Sequence, residues 1–399
     1  MAPEPNSEED AYFDHNPPPS RTTLARHLAL ARAFIARHAA ASPPRRVVLV
    51  TSGGTTVPLE NQTVRFIDNF SAGTRGATSA EHFLRAGYAV IFLHRQFSLL
   101  PFSRHYSHNT NCFLDFLTTT PSAASAGNEK TQEQVVVQQQ HQRKMAAVLR
   151  EYQRARADDA LLLLPFVSIA EYLWHLRELA RALQPLGGAA LFYLAAAVSD
   201  FFVPRERMAE HKIQSSEEFS AVAAAAGAGE VVPAARMAGK ALVIDLDPVP
   251  KFLKRLVDGW APAAMIVSFK LETDPAILTQ KAEYALKKYA HHLVIGNLLS
   301  TRKWEVVFVS VLEGEKWIRV PRRRRTKSSS GVEALVGKAA AAESLKASPG
   351  SLEDGPQKDA NEEEVDISED GEPLVEIESL IIPEVKRLHE EFIARNSHR

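Results

Sequence analysis

The sequence contains one cysteine in 399 residues and almost no net charge, because 47 Lys and Arg side chains are balanced by 48 Asp and Glu. The single thiol, Cys112, excludes an intramolecular disulfide and a metal site built from cysteines alone. The balance of charge argues against binding to nucleic acid through bulk charge. No apolar run approaches the roughly 20 residues that cross a bilayer. We therefore expect a soluble, cytoplasmic protein that binds neither membrane nor nucleic acid.

Four stretches have the composition of solvated chain rather than of a packed core. Residues 1–19 are acidic and rich in proline, and residues 118–142 are rich in Ser, Ala and Gln. Residues 217–240 are rich in Ala and Gly, and residues 321–373 pass from a basic run to an acidic one. Such compositions favour disorder. We expect a disordered N-terminal tail, two insertions and a disordered charged insertion, in that order.

The rest of the chain alternates strand patterns with helix patterns. The apolar run Val47–Val50 is typical of a strand buried on both faces. A glycine-bearing stretch, a helix from about Gly76 to Arg85 and a strand at Tyr88–Leu93 follow it, which is the order of a βαβ unit. The same patterns predict further strands at 190–198, 265–269 and 293–295, helices at 275–289 and 383–395, and a hairpin at 306–320.

This alternation predicts an α/β fold whose sheet is Rossmann-like, doubly wound and mostly parallel, with a β-hairpin extension. We assign residues 20–320 to one α/β domain and expect the C-terminal helix, within residues 374–399, to pack on it. In open sheets of this kind, ligands bind at the carboxyl ends of the strands. Those ends are therefore the places to search for a site.

Two glycine-rich stretches follow strands of the βαβ unit. Gly53 lies among small and hydroxyl residues that let backbone amides approach a phosphate. Ser71, Gly73 and Gly76 lie where the next helix begins and its dipole favours an anion, and Asn69 beside them can donate and accept hydrogen bonds. The alternatives are a plain glycine turn and an ordinary helix N-cap. Although GxGxxG and GK[ST] are absent, two such ends in one unit favour a nucleotide site.

A third strand end carries small residues followed by charged ones. Ala196 and Ala197 remove side-chain bulk, so a ligand can lie against the backbone, and Asp200 adds a carboxylate. An alanine run is equally typical of close helix–strand packing. Lys212 follows on a polar loop, where it is either a solvated surface charge or a group that binds a phosphate or stabilises an oxyanion.

Two further strand ends carry Phe269 and Asn297. An aromatic ring at such a position can stack on a base or simply cover the core, and an asparagine can bind a base or sugar edge. For both residues, the structural and the functional interpretation stay open.

Taken together, these motifs resemble eukaryotic phosphopantothenate–cysteine ligase (phosphopantothenoylcysteine synthetase), an enzyme family of coenzyme A biosynthesis. The resemblance covers most of residues 20–320 in order. Three long motifs carry it: SGGT..PLE...VRFIDNFSAG.RGA, YLAAAVSDF and EHKIQSS. It implies an ATP-dependent ligase, with CTP as the alternative nucleotide, that joins 4′-phosphopantothenate to L-cysteine through an acyl nucleotidylate with Mg²⁺ present. It also implies a homodimer.

The resemblance assigns roles to residues that match the family's motifs. Lys212 is implied in forming the acyl nucleotidylate, and Asn69 in holding it for conversion to product. Arg65 is implied to contact phosphopantothenate in the neighbouring subunit. The remaining positions are implied as a nucleotide site at Gly53, Ser71, Gly73, Gly76, Phe269 and Asn297, and as a phosphopantothenate site at Asn69, Ala196, Ala197 and Asp200. The metal ligands stay unknown.

The sequence also departs from parts of the family's pattern. Gln214–Ser216 replaces a lysine-rich loop of bacterial relatives, which fits the eukaryotic, ATP-using type. Ala72 replaces a common serine, which weakens a role for a hydroxyl there. We expect a monofunctional, flavin-free chain, because the flavin-dependent decarboxylase domain often fused to bacterial relatives has no counterpart in this sequence.

Two alternatives to the ligase interpretation remain. The first is an NAD- or flavin-linked oxidoreductase, which a Rossmann-like sheet allows but which lacks its GxGxxG fingerprint here. The second is a nucleic-acid or interaction protein that acts through the basic run Arg322–Arg325, a weak signal because the run is a single block without interleaved aromatic residues. The same run also allows a nuclear location, which does not compete with the ligase activity.

Overall fold

The computed structural model describes residues 8–106, 112–121, 133–214, 233–238, 241–321, 373 and 375–396. None of the helices in these ranges is long and apolar enough to cross a membrane. The α-helices in these ranges are α1 (Glu8–His15), α2 (Arg21–Ala39), α3 (Thr74–Arg85), α4 (Gln139–Ala157), α5 (Ile169–Leu183), α6 (Phe252–Arg255), α7 (Pro275–Tyr289) and α8 (Glu378–Asn396).

The strands of the described residues form one large sheet and several two-stranded ribbons. The sheet has eight strands in the order β16-β15-β14-β13-β8-β1-β4-β7. The strands are β1 (Val47–Ser52), β2 (Thr56–Pro58), β3 (Phe66–Asp68), β4 (Ala89–Arg95), β5 (Leu117–Pro121), β6 (Glu133–Val137), β7 (Leu161–Phe166), β8 (Ala190–Leu194), β9 (Phe201–Phe202), β10 (Ala235–Ala238), β11 (Ala241–Ile244), β12 (Asp247–Pro248), β13 (Met265–Glu272), β14 (Leu293–Leu298), β15 (Glu305–Ser310) and β16 (Gly314–Arg319).

Six neighbouring strands of the sheet, from β7 to β14, are parallel, and the hairpin β15–β16 extends it in antiparallel fashion. The predicted doubly wound sheet with a hairpin extension is thereby confirmed. The chain places β4 and β7 on one side of β1 and then returns to place β8, β13 and β14 on the other. The strand order therefore reverses between β1 and β8, and this reversal is where open α/β sheets bind ligands.

Burial on both faces explains why β1 reads as a continuous apolar run, since all six of its residues are buried. On one face, α2 and α5 cover a cluster that includes Phe34 and Leu176. On the other, α3 and α8 cover a cluster that includes Phe83 and Ile381. Ser168 caps the start of α5 in a capping box, in which the Ser168 side chain accepts from the Glu171 amide.

The N-terminal segment differs from the predicted disordered tail. Residues 8–15 form α1, and its Tyr12 and Phe13 are buried at 5% and 3% exposure. Phe13 lies 4.9 Å from the Trp174 ring, and Tyr12 lies 4.9 Å from the Phe202 ring. Distant aromatic side chains therefore hold this acidic helix on the core, a tertiary effect that local composition does not reveal.

Other segments expected to be insertions contain regular structure where they are described. Strands β5 and β6 form an antiparallel ribbon inside the range 118–142, and α4 begins at Gln139. Strand β10 lies inside the range 217–240. Residues 1–7, 122–132, 215–232, 239–240 and 322–372, including Arg322–Arg325, lie outside the described residues.

The C-terminal helix begins five residues earlier than predicted. Its predicted start, Pro383, lies inside α8, which begins at Glu378. Ile381 and Ile382 are buried against α3 and the sheet, so apolar burial favours the additional turn. The hairpin and the helix 275–289 have the predicted positions.

Several buried histidines are held neutral by the fold. Burial lowers the pKa of His291, His292 and His389 to about 4, and burial together with the neighbouring His175 lowers that of His27 to about 4. In the unfolded chain a histidine takes up its proton near pH 6.5. Between about pH 6.5 and pH 4 the unfolded state therefore binds more protons, so stability is lost as the pH falls through this window.

We expect the free energy of unfolding to fall by at least about 2 kcal/mol between pH 7 and pH 5. Urea unfolding at a series of pH values measures it. His27→Gln removes one of these groups, whose Nδ1 lies 2.9 Å from His175 Nε2, and should reduce the pH dependence. The exposed His15→Gln is the matched control and should leave the dependence unchanged. Equal stability at pH 7 and pH 5 would contradict this account.

Candidate functional site

The backbone that leaves β1 pairs with the backbone that leaves β8. The Ala197 amide donates to Gly53 O at 2.8 Å, and the Thr55 amide donates to Ala197 O at 3.1 Å. Thr55 Oγ1 accepts from the Ser199 amide at 2.9 Å. The Ala196 amide is held by Thr51 Oγ1 at 3.2 Å. Because β1 and β8 flank the reversal of strand order, the predicted residues Gly53, Ala196 and Ala197 meet at the expected ligand site.

Asn69 lies beside this paired backbone. Its amide donates to Thr55 O at 3.2 Å, and the ribbon β2–β3 holds the segment, with Thr56 opposite Asp68. A Cβ on Gly54 would overlap the carbonyl oxygen of Asn69. The contact is therefore backbone against backbone, and only glycine at position 54 allows it.

The start of α3 packs equally closely against the end of β1. Gly73 caps the helix with a φ of 82°, in the left-handed region that glycine adopts readily, and its carbonyl accepts from Ser52 Oγ at 3.0 Å. A Cβ on Gly76 would overlap Ser52 Oγ, and one on Gly53 would lie 2.7 Å from Arg95 Cβ. These glycines are thus required by the close packing of the backbone around them.

The first turn of α3 faces the site with free donors. The first intrahelical bond runs from the Ala77 amide to Gly73 O at 3.0 Å, so the amides of Thr74, Arg75 and Gly76 have no partner in the helix. Ser71 Oγ lies 3.4 Å from the Gly73 amide, just before this turn. Such an N-terminus attracts an anion through its amides and its dipole.

Phe269 and Asn297 lie farther along the same edge of the sheet. The Phe269 ring lies 5.0 Å from that of Tyr193, whose hydroxyl is 2.9 Å from Ser79 Oγ in α3. Asn297 is 6% exposed and sits in β14, opposite Leu271. Three strand-to-strand steps separate β14 from β1, so a ligand that touches both ends spans about 14 Å. An extended ligand such as a nucleotide has this length.

Lys212 and Arg65 lie in a second group, joined by Glu60. The Arg65 guanidinium donates to Glu60 Oε1 at 2.9 Å, and the Ile213 amide donates to the same oxygen at 3.3 Å. Lys212 is exposed, and in the part of the chain that the structure describes its ammonium group forms no ion pair. No hydrogen bond or ion pair joins Lys212 to Asn69 among these residues, and the two candidate catalytic residues lie on different segments.

The Glu60 carboxylate is fully buried yet charged. Burial raises its pKa, but hydrogen bonds from the Arg65 amide and guanidinium and from the Val64 and Ile213 amides outweigh burial. The net effect is a pKa below the ordinary range of a glutamate. Asp68 has its own partner, because Arg95 donates to Asp68 Oδ1 at 2.6 Å.

The sequence patterns left these supporting residues out. Glu60, Ser52 and Arg95 were not predicted, although Glu60 lies inside the motif PLE and Ser52 inside SGGT. Asp200 is exposed, its carbonyl accepts from the Val249 amide at 2.9 Å, and its side chain forms no hydrogen bond or ion pair with the described residues. Among those residues no three His, Cys, Asp or Glu side chains converge as they would in a metal site built from protein side chains alone.

The fold is that of a doubly wound α/β protein, a class in which ligands bind where the strand order reverses. A family model for the DNA/pantothenate metabolism flavoprotein C-terminal domain matches residues 44–112. The chain is 46% identical over 325 residues to phosphopantothenate–cysteine ligase Cab2 of Saccharomyces cerevisiae, which covers 80% of this chain and 82% of Cab2. It is 45% identical over 271 residues to phosphopantothenate–cysteine ligase of Homo sapiens, with 68% of this chain and 78% of that protein covered.

Solved structures agree with these relatives. A histidine-to-alanine variant of Cab2 matches with a TM-score of 0.72 at 38% identity, with 98% of this chain and 99% of that chain covered. The same variant in complex with phosphopantothenate-cysteine matches with a TM-score of 0.71 at 39% identity, with 98% and 100% covered. The chain belongs to the phosphopantothenate–cysteine ligase family, and the resemblance drawn from its motifs is confirmed.

We expect Gly54→Ala to push Asn69 out of the site. Overpacking of this kind costs about 1 to 3 kcal/mol of unfolding free energy, and ligand binding should weaken because Asn69 moves. Urea unfolding measures the first effect and ligand titration the second. The matched control is Gly259→Ala, because a Cβ at Gly259 has no neighbour within 4 Å. A Gly54→Ala variant as stable as Gly259→Ala would contradict the contact.

Proposed function

We propose that this chain joins 4′-phosphopantothenate to L-cysteine, with cleavage of ATP to AMP and pyrophosphate. Family membership and the product complex of Cab2 support the substrates. We call Gly53, Gly54, Gly73 and Gly76, which pack together at the end of β1, the glycine wall. The observation that carries the mechanism is the first turn of α3, whose amides have no partner in the helix and lie at this wall. A triphosphate that runs from this turn toward Asn297 would follow the carboxyl edge of the sheet.

In the first half-reaction a carboxylate oxygen of phosphopantothenate attacks the α-phosphate of ATP. The oxygen–phosphorus bond to pyrophosphate breaks, and an acyl-adenylate forms. Negative charge grows on the phosphate in the transition state, so donors already in place lower the barrier. The amides of α3 supply fixed dipoles, and Lys212 supplies the cation.

In the second half-reaction the cysteine amine attacks the acyl carbon of the adenylate. The carbon–oxygen bond to AMP breaks, an amide forms, and the amine loses a proton. Asn69 presents both a donor and an acceptor and is held by its backbone against Gly54 and Thr55. This placement suits it to hold the acyl-adenylate while the amine approaches.

Mg²⁺ is expected to enter with the nucleotide. It prefers phosphate oxygens and water, completed by one or two carboxylates. The described residues offer no group of three His, Cys, Asp or Glu side chains, which fits an ion held mainly by the triphosphate. When bound, it supplies charge neutralisation to the phosphates.

Exposed apolar side chains beside the site support a homodimer. Val64, Phe66 and Phe70 are 56%, 50% and 91% exposed, and they flank or follow Arg65 in the β3 segment. Apolar patches of this kind are typical of interaction sites. A second copy of the chain that covers these side chains would bring the site of that second copy near Arg65.

An exposed thiol at Cys112 is consistent with a reducing compartment, which supports a cytoplasmic location. The nuclear alternative rests on Arg322–Arg325, outside the described residues.

We expect purified protein supplied with phosphopantothenate, cysteine, ATP and Mg²⁺ to release pyrophosphate and form phosphopantothenoylcysteine. Lys212→Ala should lower acyl-adenylate formation about 100-fold or more, as removal of one transition-state stabiliser does. Lys287→Ala, which removes an 81% exposed lysine, is the control and should keep full activity. CTP in place of ATP tests nucleotide choice. Absence of pyrophosphate release with either nucleotide would refute the proposal, and full activity of Lys212→Ala would remove that residue from the mechanism.

Mixing two inactive variants tests whether Arg65 crosses between subunits. In a mixed dimer of Arg65→Ala and Asn69→Ala, one of the two sites has both residues intact only if Arg65 acts in its neighbour's site. Random mixing makes half of the dimers mixed, so activity should return to about a quarter of the wild-type value. If the mixture remains as inactive as the separate variants, Arg65 acts in its own subunit or in neither.

A further inference from the structure

The buried carboxylate of Glu60 accepts hydrogen bonds from two functional segments at once. Its Oε2 accepts from the Val64 amide at 3.1 Å and the Arg65 amide at 2.8 Å. Its Oε1 accepts from the Arg65 guanidinium at 2.9 Å and the Ile213 amide at 3.3 Å. The side chain has no exposed surface. The carboxylate therefore accepts from these four protein donors and not from solvent.

The backbone next to Glu60 fixes the same two segments together. Glu60 bridges to Ala209, and the Asn61 amide donates to Ala209 O at 2.8 Å. The Gln62 amide donates to Glu210 O at 3.2 Å, and the Asn61 side chain donates to Glu210 Oε2 at 2.9 Å. Residues 60–62 and 209–213 thus run side by side. Lys212 lies between Glu210 and Ile213, which are both held by this segment.

We infer that Glu60 is a positioning residue that fixes Lys212 for the first half-reaction and holds the Arg65 guanidinium in place. The inference rests on the proposed function for the roles of Lys212 and Arg65. Lys212 has no ion-pair partner of its own among the described residues, so its backbone must set its position. The Ile213 amide, bonded to Glu60, is the peptide group that follows Lys212 directly.

The geometry requires a glutamate at this position. Glutamine offers one acceptor oxygen, and its amide hydrogens would face donors that need acceptors. Aspartate keeps the charge but is shorter by one methylene, so it cannot reach both Arg65 and Ile213. A displacement of about 1 Å at a catalytic group can cost about 100-fold in rate. Both substitutions should therefore act on the rate through Lys212.

Glu60→Gln should lower acyl-adenylate formation about 10- to 100-fold, measured as pyrophosphate release without cysteine. The matched control is Glu81→Gln, which changes an equally buried carboxylate that accepts from Arg104 and from the Phe102 amide. Glu81→Gln should lower the unfolding temperature but leave this rate within about twofold. Equal loss of rate in both variants would mean that Glu60 acts only through stability, which would overturn the inference.

Two further measurements distinguish a positioning role of Glu60 from a general contribution to stability. In a Lys212→Ala background, Glu60→Gln should change the rate less than about threefold, because its effect is already absent. Amide hydrogen exchange of Ile213 should speed up about 10-fold or more in Glu60→Gln and Glu60→Asp, and stay unchanged in Glu81→Gln. Additive losses in the double variant, or unchanged exchange at Ile213, would overturn the inference.

Exchange at Ile213 needs no activity, so it decides the positioning claim even if catalysis is undetectable. If Glu60→Gln does not fold, Glu60→Asp keeps the charge and carries the same tests. An inactive wild type would refute the proposed function. An active wild type with an inactive Lys212→Ala and a normal Glu60→Gln would refute only the inference about Glu60.

Discussion

The close approach of three backbone segments at the end of β1 is the constraint on which this structure depends. Gly54 has no Cβ where the carbonyl of Asn69 passes, and Ser52 lies against Gly73 and Gly76 at the start of α3. The same segment pairs with Ala197 beyond β8. These contacts hold together the ribbon β2–β3, the first turn of α3 and the end of β8. A side chain at position 54 in place of glycine would therefore disturb all three.

Local patterns predicted the elements whose burial is continuous along the chain. Strand β1 is buried throughout, and α7 begins at Asp274–Pro275, where cap and proline favour a helix start. Sequence patterns did not predict the helices whose formation depends on contacts between distant residues. In α4 only Ala155 is buried, so no apolar stripe marks it in the sequence. Helix α1 has two apolar aromatic residues, which rings far along the chain hold in place.

The candidate site shows the same difference between features set by local sequence and features set by distant contacts. The glycines were predicted as points of ligand access, and the structure adds that loop packing requires them independently. This second cause is invisible in the sequence, because Gly54 and Asn69 meet only after the ribbon β2–β3 forms. The hydrogen bond between the Ile213 amide and Glu60 joins residues 153 positions apart, so no local spacing predicts it. Family motifs identify such positions, whereas the folded structure explains their chemistry.

Local pairing of charge also explains how a chain of near-zero net charge can offer a site to anions. Between Gly54 and Gly76 the sequence has two carboxylates, Glu60 and Asp68, and each is paired with an arginine, Arg65 and Arg95 respectively. Their negative charge is therefore compensated before a ligand arrives. The amides of α3, together with Lys212, which forms no ion pair among the described residues, then contribute positive potential, because compensated charges contribute little at a distance. An excess of basic residues is not needed, since the arrangement of a few charges decides the sign.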